Sequence, residues 1–308
     1  MRKKLGVIGP GKHFANRIYP IIKKSNFFKL DGVLRKKNIV FKNIKNFDEK
    51  NFFKKNFDFI YISCPNFYHE KYIIKALKSG AHVICEKPFL LSNKNFHRII
   101  NLSKKNDKLI FEAFMYLYHP AFRYIKKIIQ NRKYGDVNYI VSNFRFPSLD
   151  RRNNRYKGRL GKGFYFDAGS YLVSLDTNLF KKTKVDFYSQ KIKKKVDLRG
   201  NIFINSSKIK RFYLWGEGQM YSNSVEIFFK NATIFIDNFF SKNDNRETIV
   251  KIFKNNKIKT FSLKKTNHFL EMFSDIQKNY ENISYKKYHR NIIKDQLNNL
   301  INYQKNSI

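Results

Sequence analysis

Apolar runs and amphipathic stretches alternate along the first third of the chain. Short runs rich in Val, Ile, Leu and Phe predict buried strands, and stretches whose apolar residues recur every three or four positions predict helices. The predicted strands are residues 4–9, 28–35, 57–63, 81–86 and 108–115, and the predicted helices are residues 11–24, 68–79 and 92–106. This alternation favours a doubly wound α/β domain with a parallel sheet, in which ligands bind beyond the carboxyl ends of the strands.

The pattern changes after residue 118. A helix (119–131), a long alternating run (137–146), a polar loop (147–163) and a second helix (164–180) lead into successive strands. These strands are predicted at residues 185–189, 200–205, 210–216, 224–229, 233–238, 249–253 and 257–263, and the closing helices at 267–281 and 289–303. Successive strands with few helices between them predict an α+β domain with an open, mainly antiparallel sheet. We therefore expect two domains, residues 1–118 and 119–308.

The composition indicates a folded protein with reduced thiols. The chain has 308 residues, of which 42% are hydrophobic and 17% aromatic, enough material for two cores. The two cysteines, Cys64 and Cys85, each end an apolar run and are too few for a disulfide framework. The apolar stretch after the basic start is too short for a secretory signal, and no run reaches the ~18 apolar residues of a membrane span. We expect a cytoplasmic protein that does not bind membranes.

The charge balance is strongly basic, with 63 Lys+Arg against 23 Asp+Glu and a net charge of +40. One interpretation is a protein that binds nucleic acid or an acidic membrane, and the other is a surface over which lysines are spread. The basic residues are scattered from end to end, and Asn, Ile and Phe are abundant beside Lys, as in a nucleotide-biased genome. We favour the second interpretation and expect no specific nucleic-acid partner, although such a field attracts anionic small molecules.

A glycine turn, Gly9-Pro10-Gly11, follows the first predicted strand and opens the first predicted helix. Glycine allows the tight turn and lets backbone N–H groups approach a pyrophosphate, as in Rossmann-type dinucleotide-binding domains. Phe14 stands where the six-residue fingerprint has its third small residue, so an ordinary turn is the alternative. The candidate cofactor-binding residues of this turn are Gly9, Gly11, Lys12 and His13.

The end of the second predicted strand bears on the choice of cofactor. Enzymes that prefer NAD usually place a carboxylate here for the ribose 2′-hydroxyl, whereas basic residues suit the 2′-phosphate of NADP. Arg35 and Lys36 occupy this position, and Asp31 lies too early in the strand. We expect NADP(H), with NAD as the alternative.

Four further motifs follow in order along the chain. The first two are Pro65-Asn66-Phe67-Tyr68-His69 and Glu86-Lys87-Pro88. The third is Glu112-Ala113-Phe114-Met115-Tyr116 with His119-Pro120 after it, and the fourth, residues 161–171, ends in an Asp-x-Gly-x-Tyr pattern. Together they resemble the GFO/IDH/MocA oxidoreductase family over about residues 5–180. The resemblance implies a Rossmann-type domain, a strand-rich second domain and nicotinamide-dependent dehydrogenase chemistry.

The resemblance and the chemistry of the residues point to the same catalytic groups. Lys87 lies where a predicted parallel strand ends, so its ammonium can donate to a substrate oxygen and stabilise a developing alkoxide. Asp167 and Tyr171 are four residues apart on a predicted helix and share one face. The resemblance implies that Tyr171 is the acid/base and that Asp167 orients it or binds substrate. The alternatives are a surface lysine, a core tyrosine and a helix-capping acid.

The same motifs supply further candidate cofactor-binding residues. The candidates are Cys64, Pro65, Asn66, His69, Glu86 and Lys87. For His69, the alternative role is to cap a helix. We expect no metal site.

The chain departs from the family pattern at two positions that bear on the substrate. Lys162 replaces the middle of three glycines that often precede the signature helix, and Leu117 stands where an arginine often follows the Met-Tyr pair. We expect a dehydrogenase or ketoreductase acting on a sugar or nucleotide-linked sugar, whose phosphate the Arg151/Arg152/Arg155 loop can meet. The alternatives are a cyclitol, free-sugar or dihydrodiol dehydrogenase, or a non-catalytic dinucleotide-binding protein.

The predicted open sheet has a face that needs a cover. The strands between residues 224 and 240 are rich in Phe. An apolar sheet face of this kind is typical of a subunit interface. We therefore expect a homo-oligomer, a dimer or tetramer, formed through the second-domain sheet.

Overall fold

The computed structural model describes residues 1–35, 41, 43–180, 184–193, 196–206, 208–242 and 246–305. The chain divides into two compact units. The first comprises Met1–Ala113 with Met272–Leu297, and the second comprises Phe114–Glu271 with Asn298–Ile308. The sequence pattern predicts one boundary, after residue 118. The observed boundary is earlier, and residues 272–297 return to the first unit because their apolar side chains pack on its strands.

The first unit contains a parallel sheet with the strand order β3-β2-β1-β4-β5-β6. This is the order of the doubly wound dinucleotide-binding fold, with the switch in direction beside β1. All neighbouring strands run parallel, so their carboxyl ends share one edge. The strands are β1 (Lys3–Ile8), β2 (Phe28–Leu34), β3 (Asn46–Phe47), β4 (Phe59–Ile62), β5 (His82–Cys85) and β6 (Ile110–Glu112).

Helical segments connect these strands. Asp48 caps the segment that begins at Glu49 by accepting a hydrogen bond from the N–H of Asn51 (2.8 Å). The segments are a π-helical turn (Phe14–Ile18), α1 (Tyr19–Lys24), α2 (Glu49–Lys54), a 3₁₀ turn (Asn66–Tyr68), α3 (His69–Lys78) and α4 (Phe96–Lys105).

Aromatic side chains from the returning segment complete the core of the first unit. The ring of Phe273 lies 5.6 Å from that of Phe28. The ring of Tyr280 lies 5.2 Å from that of Phe59 and 5.1 Å from that of His82. Phe273 belongs to α8 (His268–Asn279), and Tyr280 belongs to the turn after it.

The second unit contains a sheet with the strand order β14-β13-β12-β11-β7-β10-β9-β8. Every neighbouring pair is antiparallel except β7 and β10, which run parallel, so the expected open, mainly antiparallel sheet is confirmed. The strands are β7 (Val137–Phe146), β8 (Phe187–Lys193), β9 (Val196–Asn205), β10 (Lys210–Glu217), β11 (Ser222–Phe229), β12 (Thr233–Asp237), β13 (Thr248–Lys254) and β14 (Lys257–Leu263).

Helices cover one face of this sheet. Asp176 is fully buried and accepts hydrogen bonds from Arg211 Nη1 (2.9 Å), Tyr213 Oη (2.8 Å) and Tyr303 Oη (2.7 Å), which ties its helix to β10. The helical segments are a 3₁₀ turn (Met115–Tyr118), α5 (Pro120–Gln130), a 3₁₀ turn (Asn154–Tyr156), α6 (Gly158–Gly161), a π-helical turn (Tyr165–Gly169), α7 (Ser170–Phe180) and the end of α9 (Ile283–Lys305).

The structure differs from the predicted elements in a few places. The short β3 and α2 are absent from the prediction, because elements of two and six residues show too little periodicity. Helix α4 begins at Phe96 rather than at residue 92, and β9 begins four residues before the predicted strand. Among the described helices, none combines the length and the apolar character needed to cross a bilayer.

Candidate active site

The glycine turn lies at the carboxyl end of β1. The N–H of Gly9 donates to the carbonyl of Leu34 (2.8 Å), and Gly9 has a φ of +67°. A Cβ on Gly9 would lie 2.5 Å from the Cβ of Cys64, so only glycine fits. At Gly11, in contrast, a Cβ would meet no atom of the described residues within 4 Å. This open space suits the close approach of a pyrophosphate to the backbone.

Phe14 occupies the position of the third fingerprint glycine. Its side chain is fully buried, 5.7 Å from the ring of Tyr61 and 5.8 Å from that of Phe41. The N–H of Ala15 still bonds to the carbonyl of Gly11 (3.0 Å). The helical segment therefore starts at the turn although a bulky residue replaces the small one.

Glu86 follows β5 and links it to β4 and to the glycine turn. Its Oε1 accepts a hydrogen bond from the hydroxyl of Tyr61 (2.5 Å) and lies 3.4 Å from Nε2 of His13. Burial raises the pKa of Glu86, but hydrogen bonds from His13 and Tyr61 and the charge of Lys87 outweigh burial, so the pKa lies below its usual value. An ionised carboxylate therefore lies beside Lys87.

Lys87 and Pro88 form a turn whose backbone contacts the buried side chain of His69. Lys87 is half-buried, and the peptide bond between it and Pro88 is cis. His69 is fully buried, with Nδ1 2.9 Å from the carbonyl oxygen of Pro88 and Nε2 3.0 Å from that of Cys64. Burial lowers the pKa of His69, and the two carbonyl oxygens oppose that effect. Both ring nitrogens of His69 lie within hydrogen-bond distance of backbone oxygens, and the ring N–H can donate to one of them, so His69 packs between these two turns.

Glu112 is a second carboxyl group near Lys87. Its Oε1 accepts a hydrogen bond from the N–H of Phe89 (2.7 Å). Burial raises the pKa of Glu112 to about 8, although the Phe89 N–H and the Lys87 charge both act to lower it. At neutral pH this carboxyl group is mostly protonated, in contrast to Glu86.

The remaining cofactor candidates lie at the ends of β1, β2 and β4. Arg35 is half-buried and follows Leu34, which binds the glycine turn, whereas Lys36 lies outside the described residues. Lys12 is exposed. Pro65 and Asn66 are half-buried and open the 3₁₀ turn after β4.

The signature segment of the second unit begins with a π-helical turn. The N–H groups of Ala168 (2.7 Å) and Gly169 (3.2 Å) both donate to the carbonyl of Phe164. Lys162, which replaces a family glycine, takes a left-handed backbone with a φ of +50°. Asp167 lies in this wider turn and Tyr171 in the first turn of α7. π-Helical turns often occur at functional sites.

Asp167 is paired with an arginine from the preceding loop. Its Oδ2 accepts a short hydrogen bond from Nε of Arg155, and the two side chains are 19% and 38% exposed. The negative charge of Asp167 raises the pKa of Arg155. The structure thus places Arg155, expected to meet a substrate phosphate, on the candidate catalytic acid.

Tyr171 lies in an aromatic environment and is 7% exposed. Its hydroxyl donates to Sδ of Met115 (3.5 Å). Its ring lies 5.2 Å from that of Phe144, 5.4 Å from that of Phe114 and 5.7 Å from that of Phe240. This packing fixes the ring, and the sulfur is a weak acceptor for the hydroxyl.

The structure brings the first-unit candidates together at one sheet edge, whereas Asp167 and Tyr171 belong to the second unit. Sequence reasoning missed Tyr61 and Glu112 as partners in the first group. The bond from Tyr61 to Glu86 spans 25 residues and that from Phe89 to Glu112 spans 23, so no local motif shows that these residues are partners. Register between neighbouring parallel strands is the signal that would have found them.

Comparisons with known proteins agree with this fold. Residues 3–114 match the profile of the GFO/IDH/MocA family, described as an oxidoreductase family with an NAD-binding Rossmann fold. A dTDP-3,4-didehydro-2,6-dideoxy-α-D-glucose 3-reductase of Actinomadura kijaniata is 22% identical over 211 residues, which cover 67% of this chain and 63% of the relative. The NADP⁺-dependent scyllo-inositol 2-dehydrogenase IolU of Bacillus subtilis is 26% identical over 191 residues, 59% of this chain and 57% of the relative. The chain thus spans less than two thirds of the length of these curated relatives.

A solved structure shares the fold of the whole chain. It is a 3-ketoreductase from Actinomadura kijaniata in complex with NADP and TDP-benzene, with a TM-score of 0.93 at 16% identity, covering 100% of this chain and 98% of that one. At this identity the likeness establishes the fold. The match of residues 3–114 to the model of this oxidoreductase family confirms the resemblance seen in the motifs.

Proposed function

We propose that the protein is an NADP(H)-preferring oxidoreductase that transfers hydride between nicotinamide and a hydroxyl or ketone carbon of a sugar, with a nucleotide-linked sugar as the preferred substrate. The observation that carries this proposal is the open space at Gly11, on the same sheet edge as Glu86-Lys87-Pro88. Support comes from the family match and from relatives named as sugar and cyclitol oxidoreductases. A cyclitol or free sugar is the alternative substrate.

The residues at the strand ends fit a dinucleotide. Backbone N–H groups around Gly11 would hold the pyrophosphate, and the turns after β4 and β5 would hold the nicotinamide half. When bound, the dinucleotide supplies or receives the hydride. Arg35 provides a guanidinium at the end of β2, which suits a 2′-phosphate and underlies the preference for NADP(H).

Lys87 stabilises negative charge on the substrate oxygen. Its amino group belongs to the Glu86-Lys87-Pro88 turn, and Glu86 next to it fixes the turn through Tyr61 and His13. A positioned cation stabilises a developing alkoxide oxygen more than it stabilises the carbonyl oxygen of the ground state. It therefore lowers the barrier.

Tyr171 transfers the proton. In the reductive direction its phenol gives a proton to the ketone oxygen as the carbon gains hydride, and in the oxidative direction it takes the proton back. Asp167, held by Arg155, orients the substrate or the phenol.

Replacement of Lys87 by alanine tests the proposal. We expect kcat with a nucleotide-linked ketosugar to fall by about 10²-fold or more, because a stabilising charge at the reacting oxygen is lost. The dissociation constant of NADPH, measured by fluorescence, should change little. Tyr171→Phe should lower kcat and remove the basic limb of its pH profile.

The double variant shows whether the two residues act in one step. If Lys87 and Tyr171 serve the same proton-coupled transfer, their effects on kcat/KM will be less than additive. Replacement of an exposed lysine of α4, Lys104→Ala, is a control for loss of charge alone. Turnover at the wild-type level in Lys87→Ala would rule out the assignment.

We also propose that the second unit self-associates through the uncovered face of its sheet. Phe212 pairs in register with Phe203 on one side and with Val141 on the other, so apolar side chains form a row across three strands. Large apolar side chains exposed to at least 37% on this unit's strands include Tyr139, Phe187, Phe212, Leu214 and Phe253. Exposed apolar side chains along one sheet face are typical of a surface that another protein covers, and a two-fold axis would cover this face with the same face of a second copy.

Sedimentation velocity tests this association. The wild-type protein should sediment as a dimer or tetramer at micromolar concentration, and Phe212→Lys should shift it towards the monomer. Lys257→Glu, on the edge strand β14, serves as a control for changed surface charge. A monomeric wild-type protein would contradict the proposal.

A further inference from the structure

Asp197 is a buried carboxylate of the second unit, outside the motifs discussed so far. It is the second residue of β9 and is 7% exposed. It lies against the start of the segment that carries Asp167 and Tyr171, although 30 residues separate it from Asp167 in sequence. A buried charge in such a place needs several hydrogen-bond donors.

The donors come from the first residues of the signature segment. Oδ2 of Asp197 accepts from the N–H of Tyr165 (2.6 Å), the N–H of Phe164 (3.1 Å) and Nε1 of Trp215 (3.2 Å). The carbonyl of Asp197 receives a further bond from the Phe164 N–H (3.3 Å). One side chain therefore holds two consecutive N–H groups at the beginning of the π-helical turn and an indole of β10.

The residue before this segment is shaped for the contact. Gly163 has a φ of +85°, and a Cβ built on it would lie 1.9 Å from Oδ1 of Asp197. Only glycine lets the carboxylate approach the backbone so closely. The absence of a side chain at Gly163 is thus what lets the Asp197 carboxylate bind at this place.

The carboxylate replaces a local cap. The first N–H groups of a helical segment usually bond to a side chain just before it, but Phe164, the residue in that place, provides none. Because the cap belongs to β9, it fixes the start of the segment to the sheet and not merely to its own turn. Asp167 lies two residues after Tyr165, and Tyr171 six residues after it.

We propose that Asp197 is a positioning residue, which sets the placement of Asp167 and Tyr171 by anchoring the start of their helical segment to β9. This inference rests on the proposed function for its catalytic consequence. Asp197 itself touches neither substrate nor cofactor in this scheme, and its effect on the reaction passes through the backbone of Phe164 and Tyr165.

The surroundings make the charge of Asp197 sensitive to pH. Burial raises its pKa to about 6, although the bonds from Trp215, Tyr165 and Phe164 act to lower it. The other titratable groups around it are the phenols of Tyr165 and Tyr188, whose pKa values burial also raises. Protonation weakens the acceptor, so the anchor should loosen as pH falls through about 6.

Two substitutions of Asp197 test whether an acceptor oxygen at this position is what anchors the segment. Asp197→Asn keeps an acceptor oxygen, so kcat at pH 8 should stay within about threefold of wild type, whereas Asp197→Ala should lose about tenfold or more. Affinity for NADPH should be unchanged in both. Ser142→Ala is the matched control, since it removes another fully buried hydrogen bond of this unit, to the carbonyl of Ser224 (2.8 Å), and should leave kcat unchanged.

Hydrogen exchange gives a readout that does not depend on activity. In Asp197→Ala the amides of residues 164–172 should exchange about tenfold faster or more, while Asp197→Asn and Ser142→Ala should resemble wild type. Gly163→Ala should speed the exchange of the same amides. This variant replaces Asp197→Ala in the test if Asp197→Ala folds poorly. In wild type kcat should fall by no more than about threefold as pH drops through about 6, because protonated Asp197 keeps an acceptor oxygen as asparagine does. Asp197→Asn should lack that part of the profile.

The outcomes are distinct. Wild-type exchange at residues 164–172 in Asp197→Ala overturns the inference, whether or not the enzyme turns over any sugar. Faster exchange with unchanged kcat also overturns it, because the segment is then anchored without catalytic consequence. An inactive wild type with faster exchange in Asp197→Ala refutes the proposed function while supporting the anchor.

Discussion

Two glycines of one turn, Gly9 and Gly11, are constrained by different neighbours. Gly9 has a left-handed backbone and lies against Cys64, so its lack of a side chain serves the fold. Gly11 faces open space, so its lack of a side chain serves the fold less and leaves room for a ligand. The same residue type thus has two roles within three positions.

Alanine substitutions distinguish these roles. Gly9→Ala should lower the melting temperature, because a Cβ 2.5 Å from that of Cys64 forces the strands apart. Gly11→Ala should keep the wild-type melting temperature but raise the dissociation constant of NADPH by about tenfold or more, since the added methyl group occupies the approach to the backbone. Thermal unfolding and fluorescence titration measure the two effects. Equal loss of stability in both variants would contradict the distinction.

At the scale of single residues, the sequence identifies groups with local motifs but not their partners. Lys87 and Tyr171 stand in recognisable patterns. No pattern pairs Tyr61 with Glu86 or Glu112 with Phe89, because strand register brings these residues together. Asp197 reaches its segment from a strand 33 residues after Phe164, with no pattern in the sequence to mark it.

The loop before the signature segment shows how an element changes the role of a side chain. The 3₁₀ turn Asn154–Tyr156 directs Arg155 to Asp167. Arg152, three residues earlier, pairs instead with Asp150 on the surface, where the arginine side chain is 90% exposed. A basic loop in the sequence therefore contains one partly enclosed ion pair and one solvated pair.

Methionine substitutions compare these two arginines. Arg155→Met should lower kcat by about tenfold, because Asp167 loses the cation that orients it, while KM changes little. Arg152→Met should leave both parameters near wild type, since exposed ion pairs contribute little. Steady-state kinetics with the same sugar decides the matter. A raised KM with unchanged kcat in Arg155→Met would instead favour direct contact between Arg155 and the substrate.

The types of element were predictable from hydrophobic periodicity, whereas their exact hydrogen bonding was not. The parallel strands of the first unit are short apolar runs, and those of the second unit alternate, as expected for a sheet with one covered face. The π-helical turn at Tyr165–Gly169 has the same pattern of apolar residues as an α-helix, so the sequence predicts a single helix there. The wider turn depends on bonds to one carbonyl, that of Phe164.

At the scale of the whole molecule, buried histidines make stability depend on pH. Burial lowers the pKa of His82, His119 and His289 to about 3. In the unfolded chain a histidine has an ordinary pKa of about 6.5. As pH falls below 6.5, the unfolded state takes up protons that the folded state does not, so stability present above pH 6.5 is lost towards pH 3.

His289 offers the cleanest test of this dependence. Its Nε2 is buried without a hydrogen-bond partner among the described residues, and its ring lies 4.5 Å from that of Phe111. His289→Phe should therefore gain stability relative to wild type as pH falls from 7 to 5, by up to ~1.4 kcal/mol per pH unit. Urea unfolding at several pH values measures it, with the exposed His97→Phe as control. A constant difference across this range would contradict the expectation.

The return of residues 272–297 to the first unit has a consequence for synthesis. The core around Phe28 and Phe59 receives Phe273 and Tyr280 only after the 158 residues from 114 to 271 have been made. At the usual pace of translation this delay is roughly 8–30 s. The nascent amino-terminal segment therefore emerges from the ribosome with an aromatic surface still uncovered. Chaperone dependence during expression should accordingly track the length of this insertion rather than the stability of the finished protein.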